Sequence, residues 1–376
     1  MLGYFMNKLV YAPQAFTFED FILLPNKTYI EPREVNISSK FSTNIRVRLP
    51  FASSPMDTVT EARMAIAMAE SGGIGVLHRN CSKEEQVRMA IEVKSHEGLN
   101  KNATVDENGR LICAAAISPF DKERAITLDK YVDALVIDVA HFHNEKVLKA
   151  THALLKHISK DLIVGNIGTY KAAEEVLTRL DNISGLRVGI GSGSICITSE
   201  QLRVGAPTLF ATAQVADALK DYGAEDIPII ADGGIRSPGD IALALAVGAS
   251  TVMLGNLLAR CEESAGEVVF INGKKYKRYR GMASPGAMAR RYALDRYSHP
   301  SKDIAEGVEG LVPYEGKVCE MLDILASGLK VIMGYIGAKS IKEIWYKARL
   351  LRISPIAWRE LGPHDIMLLK VHKMNQ

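Results

Sequence analysis

Several features that would assign a protein to a special class are missing from this sequence. Its 376 residues include only five cysteines, scattered and odd in number, which argues against a disulfide framework and favours a reducing, cytoplasmic environment. No CxxC or HExxH spacing occurs, so zinc sites of those types are excluded. No apolar run reaches the roughly 20 residues of a membrane span. The N-terminal apolar stretch is interrupted by acidic residues and a proline, unlike a signal peptide. The net charge of +3 is too small to indicate binding to nucleic acid.

Eight short apolar runs recur along the chain and alternate with helical patterns. We predict strands at residues 50–56, 73–78, 111–117, 134–140, 162–167, 186–190, 227–232 and 251–254. These runs are apolar at almost every position, which is typical of parallel strands buried on both faces. Helical patterns at 61–71, 84–94, 171–180 and 239–247 lie between them. This alternation predicts an α/β fold, a (β/α)8 TIM barrel, with a doubly wound open sheet as the competing arrangement.

Polar side chains follow most of the predicted strands at the point where each strand ends. In such a barrel the carboxyl ends of all eight strands meet at one face, where active sites lie. Each polar residue taken alone has a simpler explanation as a cap or a turn. Together they predict a ring around one mouth of the barrel: Asp57, His78, Arg79, Asn80, Asp138, His141, Asn166, Cys196, Asp232 and Asn256.

The loop after the sixth predicted strand carries a candidate nucleophile. Gly189, Gly191 and Gly193 stand at alternate positions, and glycine permits positive φ and close approach to a ligand. Successive amides in such a loop can bind an anion, and its carbonyls can face a cation. Cys196 follows, and nearby positive dipoles would favour its thiolate. The alternative is an inert cysteine that only fills the core.

The loops after the seventh and eighth predicted strands are typical of a phosphate site. Gly233, Gly234, Gly255 and Asn256 occupy the place at which many barrels bind phosphate through backbone amides. Asp232 is an anion, so it suits the paired hydroxyls of a sugar better than a phosphate. Its simpler interpretation is a loop cap.

The strand–helix repeat stops after the eighth predicted strand. Residues 261–316 contain a basic segment at 274–280 and many glycine and proline residues, which is typical of a long active-site flap. The basic segment is interpreted as a solvated hairpin, or as one that lies near a phosphate. Helical patterns resume at 319–335 and 340–348, whereas 358–365 shows no periodicity. We expect a single catalytic domain over residues 1–376.

Six segments resemble, in the correct order, motifs of the inosine monophosphate dehydrogenase family. They are SSPMDTVTE at 53–61, GIGVLHRN at 73–80, the cysteine loop at 186–198, IADGGIR at 230–236, KRYRGM at 277–282 and DRY at 295–297. The likeness extends from residue 16 to residue 365. It implies an NAD-dependent oxidation of inosine monophosphate (IMP) to xanthosine monophosphate (XMP).

The resemblance also implies a role for each matching residue. Cys196 would attack C2 of the purine, Thr198 would support the later hydrolysis, and Arg296 with Tyr297 would activate water. Cofactor-side positions are Asp138, Asn166 and Gly189. Substrate positions are Ser54, Met56, Ser194, Asp232, Gly233, Gly234, Gly255, Asn256, Tyr279, Gly281, Met282 and Glu306.

A monovalent cation, usually potassium, and a homotetramer are implied in the same way. The cation would bind the carbonyls of Gly191, Gly193 and Cys196. A neighbouring subunit would complete the site with its tail residues Glu360, Leu361 and Gly362.

Three features depart from the family pattern. Residues 95–108 occupy the place where relatives commonly insert paired cystathionine-synthase-type regulatory domains, so we expect those domains to be absent. Phe142 and Asn144 replace a usual glycine and serine, and Phe142 would either stack on the cofactor or hinder it. Ala283 replaces a usual glycine, and its amide contact to the base would need a negative φ.

Other functions remain as alternatives. Guanosine monophosphate (GMP) reductase is a related barrel that uses NADPH and releases ammonia, and residues 138–140 resemble it. GSICIT at 193–198 and the Arg296-Tyr297 pair favour the dehydrogenase, because the reductase flap is shorter and lacks the pair. A catalytically inactive purine-nucleotide-binding protein is a second alternative, and a flavin-dependent barrel oxidase is a third.

Overall fold

The computed structural model describes residues 4–297 and 305–367, and a closed barrel of eight parallel strands lies at its centre. The two ends of the barrel sheet meet where Val252 lies opposite Phe51. The predicted (β/α)8 fold is therefore confirmed and the open sheet is excluded. The strands are β1 (Phe51–Ser53), β2 (Ile74–Leu77), β3 (Cys113–Ile117), β4 (Ala134–Ile137), β5 (Asp161–Ile167), β6 (Gly185–Val188), β7 (Ile229–Asp232) and β8 (Thr251–Leu254).

Eight helices follow the eight strands in the chain. Several begin with a side-chain cap: Ser82, Thr169 and Ser237 each accept a hydrogen bond from an amide of the first helical turn. The helices are α1 (Ala62–Glu70), α2 (Lys83–Lys94), α3 (Lys122–Leu128), α4 (Glu145–Leu155), α5 (Tyr170–Arg179), α6 (Thr208–Asp221), α7 (Pro238–Ala246) and α8 (Val318–Ile336).

The strands contribute to two separate apolar clusters, which explains why their sequences do not alternate. Residues such as Ala52, Val76 and Ile163 fill one cluster inside the barrel, and Phe41 closes its amino end from an adjoining hairpin. Alternate residues of the same strands, such as Phe51 and Leu77, join the outer cluster with the helices. Since both faces are buried, each strand needs an apolar residue at nearly every position.

The region after β8 is built differently from the barrel. Strands Val268–Ile271, Lys274–Arg280 and Glu309–Pro313 form an antiparallel sheet. The long connection between the second and third of these strands contains the short helix Pro285–Ala289 and the 3-10 turn Leu294–Tyr297. The prediction of a solvated basic hairpin is wrong for Lys277. This side chain is buried and donates to the carbonyls of Glu262 and Ser264.

Smaller elements surround the barrel. Ser354 caps the helix Pro355–Glu360, a segment that overlaps the tail for which the sequence showed no periodicity. Phe21–Leu23 pairs antiparallel with Leu350–Arg352. Within residues 4–297 and 305–367, no helix has the length and apolar character of a membrane span. The other short elements are the helices Tyr4–Val10, Thr198–Leu202, Asn256–Ala259 and Ile341–Lys347 and the 3-10 turns Phe18–Asp20 and Pro32–Glu34.

Candidate active site

The carboxyl ends of the barrel strands bring several predicted residues into one hydrogen-bonded group. Asn166, in β5, donates from Nδ2 to Asp232 Oδ2 at 2.9 Å and to the carbonyl of Gly189 at 2.8 Å. Arg187, in β6, donates from Nε to the same Asp232 oxygen at 2.9 Å. Its Nη1 reaches Asp138 Oδ1, just after β4, at 2.6 Å. The ends of β4, β5, β6 and β7 are thus joined at one mouth.

Asp138 is the centre of this group, because three arginines surround its carboxylate. Arg187 and Arg296 donate hydrogen bonds to it, and Arg79 Nε lies 3.8 Å from its Oδ2. The side chain is only 1% exposed. Burial alone would raise the pKa of Asp138, but the guanidinium groups of Arg296, Arg187 and Arg79 overcome this and hold the pKa below its ordinary value. Asp138 is therefore a fixed negative charge at the mouth.

The flap reaches this charge through the 3-10 turn Leu294–Tyr297. The carbonyl of Arg296 accepts a hydrogen bond from the Ala140 amide at 2.9 Å, so its backbone is attached as well as its side chain. Asp295 accepts from Arg79 Nη1 at 2.7 Å and from the hydroxyl of Ser118. The turn therefore lies against β3 and β4. The backbone of Tyr297 belongs to this turn, but its side chain is outside the described residues.

Cys196 lies in a half-buried loop, in contrast to three other cysteines. Its Sγ is 3.2 Å from Thr198 Oγ1, and that hydroxyl donates to Glu306 Oε2 at 2.6 Å. Burial raises the pKa of Cys81, Cys113 and Cys261 to about 12, so those thiols stay protonated and inert. The chain thus has a thiol beside a hydroxyl and a carboxylate at the mouth, and three that only fill the core.

The loop before Cys196 uses glycine where close approach requires it. Gly189 has φ +128°, and a Cβ placed there would lie 2.3 Å from the carbonyl oxygen of Asp232. Gly191 also has positive φ, whereas the φ of Gly193 is outside that region, so the expectation is wrong for this residue. The carbonyl of Gly193 instead accepts from the Cys196 amide at 2.9 Å. This turn presents the cysteine.

A second patch lies around Gly255, after β8. A Cβ at this position would be 3.1 Å from Tyr279 Oη, 3.6 Å from Met56 Sδ and 3.8 Å from Ser54 Cβ. Burial raises the pKa of Tyr279 to about 12, although a hydrogen bond with Ser194 opposes the shift. The phenol therefore remains a neutral donor. Five predicted substrate residues from four parts of the chain meet here.

Two further glycine loops approach the cysteine loop. A Cβ at Gly233 would lie 3.2 Å from the Gly193 amide nitrogen, and one at Gly281 would lie 2.9 Å from the Ile195 carbonyl oxygen. Gly234 has φ +79° beside Gly233. One small region is therefore approached by three segments: the loop after β6, the loop after β7 and the chain that follows strand Lys274–Arg280.

The remaining predicted substrate residues lie around this region with partners of their own. Met282 and Ala283 are buried. The φ of Ala283 is not positive, so the backbone condition for an amide contact from Ala283 to the base is met. Asn256 accepts a hydrogen bond at Oδ1 from Arg260 Nε at 3.0 Å. Glu306 is 8% exposed, and its carbonyl accepts from the Ile197 amide at 2.9 Å. Glu306 is thus tied to the cysteine loop by both side chain and backbone.

Two expectations about neighbouring residues have different outcomes. Phe142 is fully buried in the outer core cluster, so in this conformation its ring is not available to stack on a ligand. Asn144 caps α4 by accepting from the Lys146 amide.

Across the two described ranges, Glu360 and Gly362 share no hydrogen bond or ion pair with residues 189–198 of their own chain.

Sequence reasoning missed Arg187, which links two of the predicted residues. It lies between Leu186 and Val188 in an apolar run, and its side chain is 2% exposed. A charged residue inside a buried strand needs an ionic partner, so its presence there was the available signal. Ser118, a partner of Asp295, had no comparable signal in the sequence.

Comparisons with known proteins agree with the expected family. The family model described as IMP dehydrogenase / GMP reductase domain matches residues 15–364. The inosine-5'-monophosphate dehydrogenase of Korarchaeum cryptofilum is 43% identical over 467 positions, which cover 95% of this chain and 98% of that protein. The enzyme of the same name from Cryptosporidium parvum is 39% identical over 392 positions, with 95% and 96% covered.

A solved structure gives the same fold. A GMP reductase variant from Trypanosoma brucei, in complex with guanosine 5'-monophosphate, matches with a TM-score of 0.88 at 29% identity, over 96% of this chain and all of that chain. The Korarchaeum alignment is longer than the 376 residues present here, so that relative contains internal segments that this chain lacks. Residues 95–108 are part of the connection between α2 and β3. The chain belongs to the IMP dehydrogenase / GMP reductase family and is an oxidoreductase.

Proposed function

We propose that this enzyme oxidises IMP to XMP with NAD+ and water, and that Cys196 carries the intermediate. The observation that supports this most is the half-buried Cys196, whose Sγ lies 3.2 Å from Thr198 Oγ1 in a loop that Gly233 and Gly281 approach closely. Asp232, next to Gly233, is joined through Arg187 to Asp138. The thiol therefore belongs to the same mouth as the residues assigned to the nucleotide and to the cofactor.

The first chemical step is attack by the Cys196 thiolate on C2 of the purine. NAD+ supplies the acceptor for the hydride that leaves this carbon, and a thioimidate on Cys196 remains. Thr198 and Glu306 form a hydrogen-bonded chain that begins 3.2 Å from the sulfur, so they orient the thiol and the water that follows. A covalent intermediate divides one difficult substitution into two easier steps.

Binding of the nucleotide is assigned to the loops around the cysteine. Asp232 accepts hydrogen bonds from ribose hydroxyls. Gly281, Met282 and Glu306 contact the hypoxanthine. Asp138, Asn166 and Gly189 bind on the cofactor side. The phosphate is held by backbone amides and side chains of Ser194, Gly233, Gly234, Gly255, Asn256 and Tyr279. Ser54 and Met56 are further substrate contacts.

The second step is hydrolysis of the thioimidate, which we assign to the flap at residues 261–316. Arg296 and Tyr297 activate the water that replaces sulfur at C2 and so release XMP. Arg296 is bound to Asp138, which supports a flap that occupies the cofactor side of the mouth after the reduced cofactor leaves. Docking of the turn also excludes bulk water from the intermediate.

The proposal includes potassium, a homotetramer and a cytoplasmic location. Backbone carbonyls of Gly191, Gly193 and Cys196 are hard oxygen donors, which suit such a cation. Among the residues that the structure describes, Glu360 and Leu361 are exposed, and Glu360, Leu361 and Gly362 share no hydrogen bond with residues 189–198 of their own chain, which supports their use by a neighbouring subunit. The free thiols suit a reducing compartment.

The reaction can be tested by supplying each nucleotide with its cofactor. We expect NADH to form with IMP and NAD+, faster with potassium than without it. NADPH consumption with GMP would instead indicate the reductase, which the T. brucei structure keeps as the second candidate. Cys196→Ala should abolish turnover while IMP still binds, because only the nucleophile is lost. Cys319→Ala changes an exposed cysteine and is the matched control. NADH formation by Cys196→Ala would contradict the mechanism.

A further inference from the structure

We propose that Arg187 is a positioning residue that joins the two carboxylates assigned to ligand binding, Asp138 and Asp232. The inference rests on the proposed function, which assigns Asp232 to the nucleotide ribose and Asp138 to the cofactor side. A single guanidinium then sets the geometry of both binding sites.

The fold directs this side chain into the barrel. Leu186 and Val188 belong to the outer core cluster, so the intervening residue of β6 faces the barrel interior. Arg187 is 2% exposed, and Ile230 lies opposite it in β7. A buried guanidinium cannot be solvated by water, so its position is determined by the carboxylates that it pairs with.

Arg187 uses different nitrogens for the two carboxylates. Nη1 is 2.6 Å from Asp138 Oδ1, while Nε and Nη2 are both 2.9 Å from Asp232 Oδ2. The planar fork of arginine permits this double contact, whereas the single ammonium group of lysine cannot contact both carboxylates with the same geometry. Asp138 follows β4 and Asp232 ends β7, so the two carboxylates belong to strands that are not adjacent in the barrel. Their like charges disfavour each other at the same mouth, and the shared cation offsets this repulsion.

The other partners of the two carboxylates do not join them. Asn166 contacts Asp232 and is neutral. Arg296 contacts Asp138 but belongs to the flap, and Arg79 is farther away at 3.8 Å. When the flap leaves so that a dinucleotide can bind, Arg187 is the closest cation left on Asp138. Its loss should therefore affect the dinucleotide more than the nucleotide.

The test compares Arg187→Met and Arg187→Lys with the unchanged enzyme in the IMP and NAD+ assay. We expect Arg187→Met to raise the KM for NAD+ about tenfold and the KM for IMP about threefold, and Arg187→Lys to give intermediate values. IMP affinity measured by calorimetry without cofactor should fall in parallel, which gives a readout independent of turnover.

Arg124→Met is the matched control for loss of a buried arginine. Arg124 is 6% exposed and donates to Asp121, Gln86 and the carbonyl of Cys81, and it makes no bond to Asp138 or Asp232 among the described contacts. The Arg124→Met variant should have a lower melting temperature but unchanged KM values for NAD+ and IMP. The inference is overturned if Arg187→Met changes only the KM for NAD+ or only the KM for IMP. It is also overturned if Arg187→Lys raises both KM values as much as Arg187→Met does. Absence of activity in the unchanged enzyme would instead refute the proposed function.

Discussion

Ion groups lie at both ends of this barrel, and they are connected to different parts of the chain. At the carboxyl end, Asp138 is surrounded by guanidinium groups, one of which belongs to the flap. At the amino end, Lys94 Nζ lies 2.6 Å from Asp133 Oδ2 and 3.1 Å from Asp106 Oδ2. All three side chains of this second group are 12–14% exposed. Asp138 is 1% exposed, so the carboxyl-end group has the more deeply buried centre.

The partners of each group decide what it can do. Asp133 also accepts from the Cys113 amide, and Asp106 accepts from the amides of Asn108 and Arg110, so the amino-end group joins only scaffold elements. It fixes the short connection at 95–108 onto the barrel. The carboxyl-end group instead includes a turn that is over 150 residues from Asp138 in the chain. Ion pairs of this second kind can be exchanged during a reaction.

Replacement of Arg296 should give the largest effect and break the comparison at the carboxyl end. We expect Arg296→Ala to slow hydrolysis on the order of 10² to 10⁴-fold, the usual contribution of a general acid or base. Hydride transfer should change much less, so rapid mixing should reveal a burst of NADH before a slow steady state. Equal slowing of both steps would reject the proposed role of Arg296.

Replacement of Lys94 should break the comparison at the amino end. Lys94→Met removes the cation that Asp133 and Asp106 share, while Arg110 stays paired with Asp106. Because the group is part-buried, its loss should cost about 2 kcal/mol, between an exposed and a fully buried pair. We expect this loss in the free energy of urea unfolding, with kcat and the NADH burst unchanged. Lys83→Met, which removes a surface pair with Glu123, should leave the free energy of unfolding nearly unchanged. A changed kcat in Lys94→Met would contradict a purely structural role.

The same contrast explains what could be predicted from the sequence. Continuous apolar runs located all eight strands, because a strand buried on both faces is apolar at nearly every position. Strand ends were less certain: β1 stops at Ser53, since residues 54–56 already turn toward Tyr279. The predicted site residues matched family motifs. Arg187 and the pairing of Asp295 with Arg79 depend on contacts between distant segments, which leave no periodic signal.

The smallest expected effect concerns pH and sharpens the view of the amino-end group. Burial alone would raise the pKa of Asp106, but hydrogen bonds from the Arg110 amide and Lys94 lower it to about 2. In the unfolded chain this pKa is about 3.9. The stability that Asp106 contributes is therefore fully present above pH 4 and is lost as the pH falls toward 2. Asp106→Asn should accordingly be less stable than the unchanged chain at pH 6, with a difference that shrinks between pH 4 and pH 2. A difference that stays constant over this range would show that the ionised carboxylate is not what stabilises the connection.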